Sequence, residues 1–361
     1  MIYTRDVDNI KTILSAPSSQ SVLGSSRGAN FKPVAGDGLF TADGKVWEHY
    51  RASARPYFTQ ARQASFIETL ETLIQQRLRL LPVHNDGWTE PIDLQSFFLD
   101  LTLDASMENL FCQSYSPQLS GTEKGGHLPD RSAFAASLDA AASFVGDRTI
   151  LGKMYWMKQS RDFYGHCKTI RRFIDHHING VHDPCASPSQ DEEDLKSSVP
   201  SNNQYHPTEL RNRIQPLLFT GRNPSGGLLA IIFFFLQKDL SIYGKLRNEI
   251  CATFGPNGNI TLIKLATCQY LQFCILESLR LGNVVPAIMR SAEKDLVLPH
   301  GGGSDKQSPV LVPRGSTIIV CIQGLHLRKD LWGEDAASFV PERWHSRPWD
   351  WSFIPFSKGR R

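Results

Sequence analysis

The sequence closes on Phe353-Ile354-Pro355-Phe356-Ser357-Lys358-Gly359-Arg360-Arg361. In this stretch an apolar run changes, after Phe356, into a short polar and basic segment. Phe356, Gly359 and Arg361 are spaced as F-x-x-G-x-R. This spacing is the most specific feature of the chain, and the other patterns in the sequence are weighed against it.

The composition is that of an ordinary globular protein of 361 residues, with 41% hydrophobic and 21% charged residues. The net charge of +3 is too small to indicate a nucleic-acid partner, so none is expected. The seven cysteines are scattered without a CxxC pair. They indicate reduced, mostly buried thiols of an intracellular protein and not a disulfide framework.

Helical periodicity dominates the chain. Apolar residues recur at three- and four-residue spacing in four segments, which predicts helices over 65–81, 97–111, 161–178 and 239–254. Strand patterns are sparse and late, over 295–298, 309–312 and 316–322. The predicted class is mainly α with a small β-sheet (α+β), and residues 1–361 are predicted to form a single domain.

Three features bear on boundaries and membranes. Residues 182–207 are rich in Ser, Pro, Asn and acid, which favours a solvated surface loop over an interaction tail. The longest apolar run, Leu228–Leu236, is shorter than the roughly 20 residues that cross a bilayer. The first residues lack the pattern of a signal peptide. We therefore expect no transmembrane segment in this chain, and a cytoplasmic or peripheral location.

Two residue pairs have the spacing that places side chains on one helix face. Trp47 and Arg51 are four apart and offer an indole N–H and a guanidinium, both suited to a carboxylate. Glu277 and Arg280 are three apart and can pair across one turn. Either pair alone is also common on ordinary helices.

Together these segments resemble the cytochromes P450. The closing string resembles that family's haem-binding loop, F-x-x-G-x-R-x-C-x-G, with Arg361 at the arginine that is expected to reach haem. The cysteine position falls two residues beyond Arg361. The resemblance therefore implies a partial P450 fold that is truncated at both ends, with no metal ligand in this chain.

The resemblance also assigns roles to the internal motifs. Trp47 and Arg51 match the W-x-x-x-R of helix C, whose pair contacts a haem propionate. Arg290, in Pro286-Ala287-Ile288-Met289-Arg290, matches an arginine that reaches a propionate. Glu277 and Arg280, with Arg343 further along, match the family's buried structural triad, which we assign to folding and not to catalysis.

One motif points to a branch of the family. His326-Leu327-Arg328-Lys329-Asp330-Leu331-Trp332-Gly333-Glu334-Asp335-Ala336 resembles the H-x-R-x-D-x-x-G-x-D-A of fungal P450s that hydroxylate alkanes and fatty acids.

The oxygen-activating helix departs from the family. There A/G-G-x-D/E-T supplies an acid and a hydroxyl that deliver protons, whereas this chain has Asn223 at the acid and Pro224 at the threonine. An amide cannot act as the carboxylate proton donor, and Pro224 is expected to disturb the helix. Ser225, about 100° further around the helix, is the candidate replacement hydroxyl.

The resemblance implies a haem-thiolate monooxygenase that inserts one oxygen atom into a C–H bond of a hydrophobic substrate such as a fatty acid or alkane. It implies haem b as cofactor, electrons from NADPH through a separate NADPH-cytochrome P450 reductase, and, for full-length members, the endoplasmic reticulum membrane. The reductase is expected to meet a basic face formed by Arg328, Lys329, Lys358, Arg360 and Arg361.

Three other interpretations remain open. As it stands, the chain is expected to be inactive, so it could be a non-catalytic remnant. It could instead belong to a tailoring hydroxylase of secondary metabolism. A zinc site is a weaker candidate, from residues whose spacing is looser than that of most structural zinc sites. These residues are His166, Cys167, His176, His177, His182 and Cys185.

Overall fold

The computed structural model describes residues 1–16, 21–111, 130–180, 206–256 and 258–359. The predicted loop at 182–207 lies almost entirely outside these residues, as do Cys112, His182, Cys185, Arg360 and Arg361. The chain divides into two compact units. A mixed unit contains 1–24 and 227–361, and a helical unit contains 25–226. This division leaves the single-domain interpretation a prediction.

The elements are named in chain order. The helices are α1 Val7–Ser15, α2 Ser25–Ala35, α3 Gly44–Ala54, α4 Gln60–Arg79, α5 Leu94–Phe111, α6 Arg131–Ile150, α7 Arg161–Gly180, α8 Pro207–Leu236, α9 Leu240–Phe254, α10 Leu262–Thr267, α11 Gln269–Leu281, α12 Ile322–His326 and α13 Lys329–Trp332. The strands are β1 Ile2–Thr4, β2 Ser21–Val22, β3 Ala287–Ala292, β4 Leu296–Gly302, β5 Ser308–Val312 and β6 Thr317–Cys321.

The four helices predicted from apolar periodicity are confirmed as α4, α5, α7 and α9, with shifts of a few residues at their ends. One shift has a clear cause. Asp239 was placed inside its helix, but its carboxylate accepts hydrogen bonds from the backbone N–H groups of Ser241 and Ile242. It is therefore the N-cap, and the helix begins at Leu240.

The core of the helical unit lies between α5, α6, α7 and the first half of α8. Phe134 and Phe173 stack at a centroid distance of 3.9 Å, and both side chains are fully buried. Leu103, Ile170 and Leu218 belong to the same buried cluster. The periodic apolar positions of these helices therefore face one another, which is what stabilises them.

The mixed unit contains both sheets. A four-stranded sheet has the order β1-β6-β3-β2, with β1 parallel to β6 and the other pairs antiparallel. β4 and β5 form a separate antiparallel hairpin. The predicted strands correspond to β4, β5 and β6, but β1, β2 and β3 were missed. β1 and β2 have three and two residues, too few for an alternating pattern to show.

Helix α8 is continuous through Pro224, so this proline does not end the helix. Close packing on α5 supports it in the helical unit. The Thr102 hydroxyl donates to the carbonyl oxygen of Arg222 at 3.0 Å. A Cβ atom at Gly226 would lie 3.0 Å from the backbone of Leu99. The small residue therefore permits backbone approach, and this packing holds the helix despite the lost N–H.

Replacing Gly226 with Ala should destabilise the protein by about 1–3 kcal/mol, because the new methyl group meets backbone atoms that have no rotamer to change. Thermal unfolding would measure the effect. Gly244 in α9 is the matched control, since a Cβ there meets nothing within 4 Å. Gly244→Ala should raise stability by roughly 0.5–1 kcal/mol through helix propensity. Equal effects at both positions would contradict the packing argument.

Among the described residues, α8 is the one helix that is long and apolar enough, by length and composition, to cross a membrane. This helix is longer than the run Leu228–Leu236 because it extends that run towards its N-terminus. Ile214 and Leu218 of the same helix are buried in the core of the helical unit. Its apolar surface therefore also serves packing within that unit.

Candidate functional site

A buried charged cluster surrounds Glu277 in the mixed unit. The Glu277 side chain has no exposed surface. Its carboxylate accepts hydrogen bonds from Arg280 Nε at 2.9 Å and Nη2 at 2.8 Å, Arg343 Nε at 2.9 Å, the Val340 backbone N–H at 3.0 Å and the Trp344 indole at 3.0 Å. Five donors on two oxygens satisfy a buried charge as completely as side-chain geometry allows.

The other end of Arg280 binds backbone carbonyls. Nη1 donates to His326 at 2.9 Å and Ala336 at 2.6 Å, and Nη2 donates to Ser338 at 3.1 Å. All five N–H groups of the fully buried guanidinium therefore have an acceptor. The cluster thus ties α11 to the end of α12 and to the segment after α13.

Arg343 completes the cluster from a 3₁₀ turn, Pro341–His345. Its Nη2 also donates to the Asp335 carboxylate at 3.0 Å. Burial lowers the pKa of the Arg343 guanidinium, but the carboxylates of Glu277 and Asp335 outweigh it and raise that pKa. Sequence reasoning missed Trp344. The available signal was that a buried indole N–H usually needs an acceptor.

The closing loop packs directly beside this cluster. Phe353 and Ile354 are fully buried, and the Phe353 ring lies 4.5 Å from that of Trp344. The Ser357 N–H donates to the carbonyl of Ile354 at 3.0 Å, which closes a turn. Phe356, at the tip of this turn, is 72% exposed. The loop is therefore anchored in the core by Phe353 and Ile354, while the Phe356 ring at its tip is exposed to solvent.

Gly359 has a positive φ of 100°, and a Cβ there would lie 2.1 Å from the carbonyl oxygen of Leu14. Both the dihedral and the close approach to α1 require glycine at this position of the F-x-x-G-x-R pattern. Arg361, the arginine of the pattern, lies outside the described residues.

In the helical unit, α3 presents Trp47 and Arg51 together. Trp47 is 9% exposed, and the guanidinium carbon of the exposed Arg51 lies 5.3 Å from its ring centroid. This cation–π contact holds the guanidinium beside the indole without using its N–H donors.

In the mixed unit, β3 carries Arg290. The residue is 8% exposed, and its Nη1 donates to the carbonyl of Met289 at 3.0 Å. β3 lies between β6 and β2; Arg290 pairs with Ile318 of β6, and β2 pairs with the two residues that follow Arg290. A buried guanidinium on a paired strand is a well-placed donor for a carboxylate.

The three positions of the oxygen-activating motif lie on α8. Asn223 and Pro224 are half-buried, and Ser225 is exposed. The Asn223 side-chain oxygen accepts a hydrogen bond from Arg222 Nη1 at 2.8 Å. Arg222, 2% exposed, also donates from both terminal nitrogens to Asp139 of α6, at 2.5 and 2.9 Å. The Asn223 amide, which stands where the family has an acid, therefore accepts a hydrogen bond from an Arg222 guanidinium that Asp139 also binds.

The predicted basic face is partly neutralised. Arg328 pairs with Asp330, and Lys329 pairs with Glu334 at 2.8 Å. Lys358 donates to the carbonyl of Asp350 at 2.7 Å. Paired surface charges generate a weaker field than the sequence count suggests.

The described members of the zinc candidate have other roles. His166 lies 3.2 Å from the Ser137 hydroxyl, and His177 is buried with its Nδ1 on the carbonyl of Phe173 at 2.7 Å. Burial raises the pKa of the Cys167 thiol to about 11, which disfavours its thiolate form. Packing accounts for these side chains.

The side chains of Asp6, Asp8 and His300 bring potential metal-ligand atoms within 4.8 Å of one another. The Asp6 carboxylate caps α1 and lies 3.8 Å from a nitrogen of Arg328. The neighbouring Arg328 guanidinium already supplies a positive charge beside Asp6, whose carboxylate functions as a helix cap.

The cysteines give a direct test of burial. Of the described cysteines, Cys167, Cys268 and Cys274 are buried and Cys321 is half-buried, in line with the expected mostly buried thiols, whereas Cys251 is exposed. At about pH 8 iodoacetamide should label Cys251 in the folded protein and spare Cys167 and Cys274. Burial raises the pKa of Cys274 to about 12. Mass spectrometry of labelled peptides would show this.

Cys251→Ser is the control, since the folded variant should no longer be labelled by iodoacetamide at residue 251. Labelling of Cys167 as fast as Cys251 would contradict the described packing.

Comparison with known proteins decides the family. The family model described as Cytochrome P450 matches residues 1–361. The chain belongs to the cytochrome P450 family.

It is 36% identical to Cytochrome P450 monooxygenase g430 of Fusarium sp, over 100% of this chain and 66% of that protein. It is 33% identical to Cytochrome P450 52A13 of Debaryomyces hansenii and 32% identical to Cytochrome P450 52A5 of Candida maltosa. These matches cover 100% of this chain and 71% and 70% of those proteins. The chain thus spans about two thirds of the length of these P450 relatives.

Cytochromes P450 are haem-thiolate enzymes that receive electrons from a redox partner. The residues present fit such a group in their chemistry. Trp47 and Arg51 in one unit and Arg290 in the other are N–H donors of the kind that bind carboxylates, and Phe356 offers an exposed apolar ring on the closing loop.

Proposed function

We propose that this chain carries the framework of a haem-thiolate monooxygenase that hydroxylates a C–H bond of a hydrophobic substrate such as a fatty acid or alkane. The observation that carries the proposal is the complete hydrogen bonding of Glu277 and Arg280 beneath the Phe353–Gly359 loop. Such a network is costly unless every member is satisfied, and here it is satisfied beside the segment that matches the haem-binding motif.

In this proposal Trp47, Arg51 and Arg290 bind the haem carboxylates, and Arg361 does so by its place in the motif. Phe356 would offer its exposed ring as an apolar contact to the haem, and Gly359 lets the loop backbone approach α1. Haem, when bound, supplies the oxidising chemistry, and the protein supplies orientation and electrostatics. A guanidinium presents a planar fork of N–H donors that matches a carboxylate better than the single ammonium of a lysine does.

Proton delivery is the step in which this chain departs from its family. The Asn223 oxygen is held by Arg222, so the amide accepts a hydrogen bond where a carboxylate would carry a proton. Pro224 offers no hydroxyl. Ser225 is exposed on the next position of α8 and is the candidate replacement hydroxyl. These features support a second candidate function, a non-catalytic member of the family.

Electrons are proposed to come from NADPH through NADPH-cytochrome P450 reductase, which would approach Lys358 and the arginines that follow it. The proposed location is the endoplasmic reticulum membrane. A tailoring hydroxylase of secondary metabolism differs from the leading proposal in substrate only.

The test uses the natural gene product that contains this chain, supplied with haem and a reductase. Monooxygenase function predicts the reduced carbon monoxide band of thiolate-ligated haem and NADPH-dependent hydroxylation of a medium- or long-chain fatty acid. Asn223→Asp combined with Pro224→Thr should raise product formed per NADPH consumed. Absence of haem binding, or haem binding without turnover in both proteins, would overturn the proposal in favour of the non-catalytic candidate.

A further inference from the structure

His326 connects the buried charged cluster to the closing loop. It is the last residue of α12 and has no exposed surface. Its backbone carbonyl accepts a hydrogen bond from Arg280 Nη1 at 2.9 Å. Its ring Nε2 accepts one from the backbone N–H of Ile354 at 3.0 Å. One residue therefore contacts the cluster through its backbone and the loop through its side chain.

The contact defines the tautomer of the ring. Because Nε2 accepts the Ile354 N–H, the ring proton of the neutral imidazole is on Nδ1. Burial and the nearby Arg280 guanidinium lower the pKa of His326 to about 4, although the carbonyl groups of Arg280 and Leu279 favour the protonated ring. The ring is consequently neutral at ordinary pH, which keeps Nε2 unprotonated and able to accept the Ile354 N–H.

The surroundings hold the ring in place. The Phe353 ring lies 5.1 Å from it in a tilted arrangement, and the Trp332 ring lies 6.3 Å away edge-on. Ile354 itself is fully buried, so its N–H would have no access to water if the acceptor were removed. An orphaned buried N–H is unfavourable, and a loop would shift to avoid it.

We propose that His326 is a positioning residue that sets the backbone of the Phe353–Gly359 loop by accepting the Ile354 N–H. The position of this loop relative to the Glu277–Arg280 cluster then depends on an imidazole nitrogen as well as on apolar packing. Any role of this loop position in catalysis rests on the proposed function. The hydrogen bond from Ile354 to His326 and its effect on the loop do not.

Hydrogen exchange at the Ile354 amide tests the proposal without haem or turnover. In His326→Leu the amide should exchange faster by about tenfold or more, as expected for loss of a buried hydrogen bond. His326→Gln should restore protection, because its side-chain oxygen reaches the Nε2 position. His326→Asn, whose oxygen reaches only the Nδ1 position, should not. His345→Gln is the control, since its ring packs on Phe273 at 5.0 Å.

Protection of Ile354 in His326→Leu equal to that of the unmodified protein would overturn the proposal. If the Leu variant does not fold, Gln and Asn variants with equal exchange would overturn it as well. In the haem-loaded gene product, the Leu variant should also convert the thiolate-type carbon monoxide band to the form without thiolate more readily than the Gln variant. Failure of haem loading with the exchange pattern intact would count against the proposed function and leave the positioning role standing.

Discussion

Replacing Glu277 with Ala should leave the protein unfolded or confined to aggregates. The substitution removes the acceptor of five hydrogen bonds and leaves the guanidinium of Arg280, which has no exposed surface, without a counter-charge. Removing one partner of a buried ion pair costs about 3–5 kcal/mol. Domains are typically stable by roughly 5–15 kcal/mol, so a protein near the lower end of that range has little stability left after such a loss.

Soluble yield and chemical unfolding would measure this effect. Glu277→Gln should be nearly as damaging, because its amide nitrogen would face donors that need an oxygen. Glu334→Ala is the matched control, since that carboxylate is 88% exposed and pairs only with the exposed Lys329 among the described contacts. It should change stability by less than about 1 kcal/mol. A folded Glu277→Ala protein of ordinary stability would show that the cluster is not needed.

Acidification from about pH 6.5 to about pH 4 should destabilise the protein by about 3 kcal/mol through His326 alone. Its pKa in the folded state is lowered to about 4 from an ordinary value of 6.5. In this interval the unfolded chain binds a proton that the folded chain does not. The contribution is therefore fully present above the unfolded pKa and is lost as the pH falls through the folded pKa.

The free energy of unfolding, measured by urea titration at a series of pH values, would reveal this dependence. His326→Gln should flatten the curve in this interval, and the difference between the two curves isolates His326 from carboxylates that titrate below it. His177 should leave a residual slope of the same sign, since burial also lowers its pKa. Identical curves for the two proteins would contradict a buried neutral His326.

The positions of most helices could be predicted from the sequence because their apolar periodicity is local. The motif positions were equally visible, since spacing along a helix places Trp47 beside Arg51 and Glu277 beside Arg280. The strands β1 and β2 could not be predicted. Each has at most three residues, and their partners β6 and β3 lie more than 250 residues away along the chain.

The partners of the candidate site were less predictable than its members. No local pattern shows that the Trp344 indole meets Glu277, or that the His326 ring meets Ile354, because these contacts join segments that are distant in sequence. Similarly, Pro224 by itself indicates a disturbed helix. The unbroken α8 depends on Gly226 and Thr102, which the sequence alone does not bring together.

By itself the sequence determined the family, the helical class and the residues that carry the motifs, because spacing along the chain is enough for each. Tertiary structure alone decided which charges are buried, which donors satisfy them and what holds the closing loop. Burial and hydrogen-bond completion depend on segments that meet only after folding, and the low dielectric of the interior then makes those contacts decisive for stability.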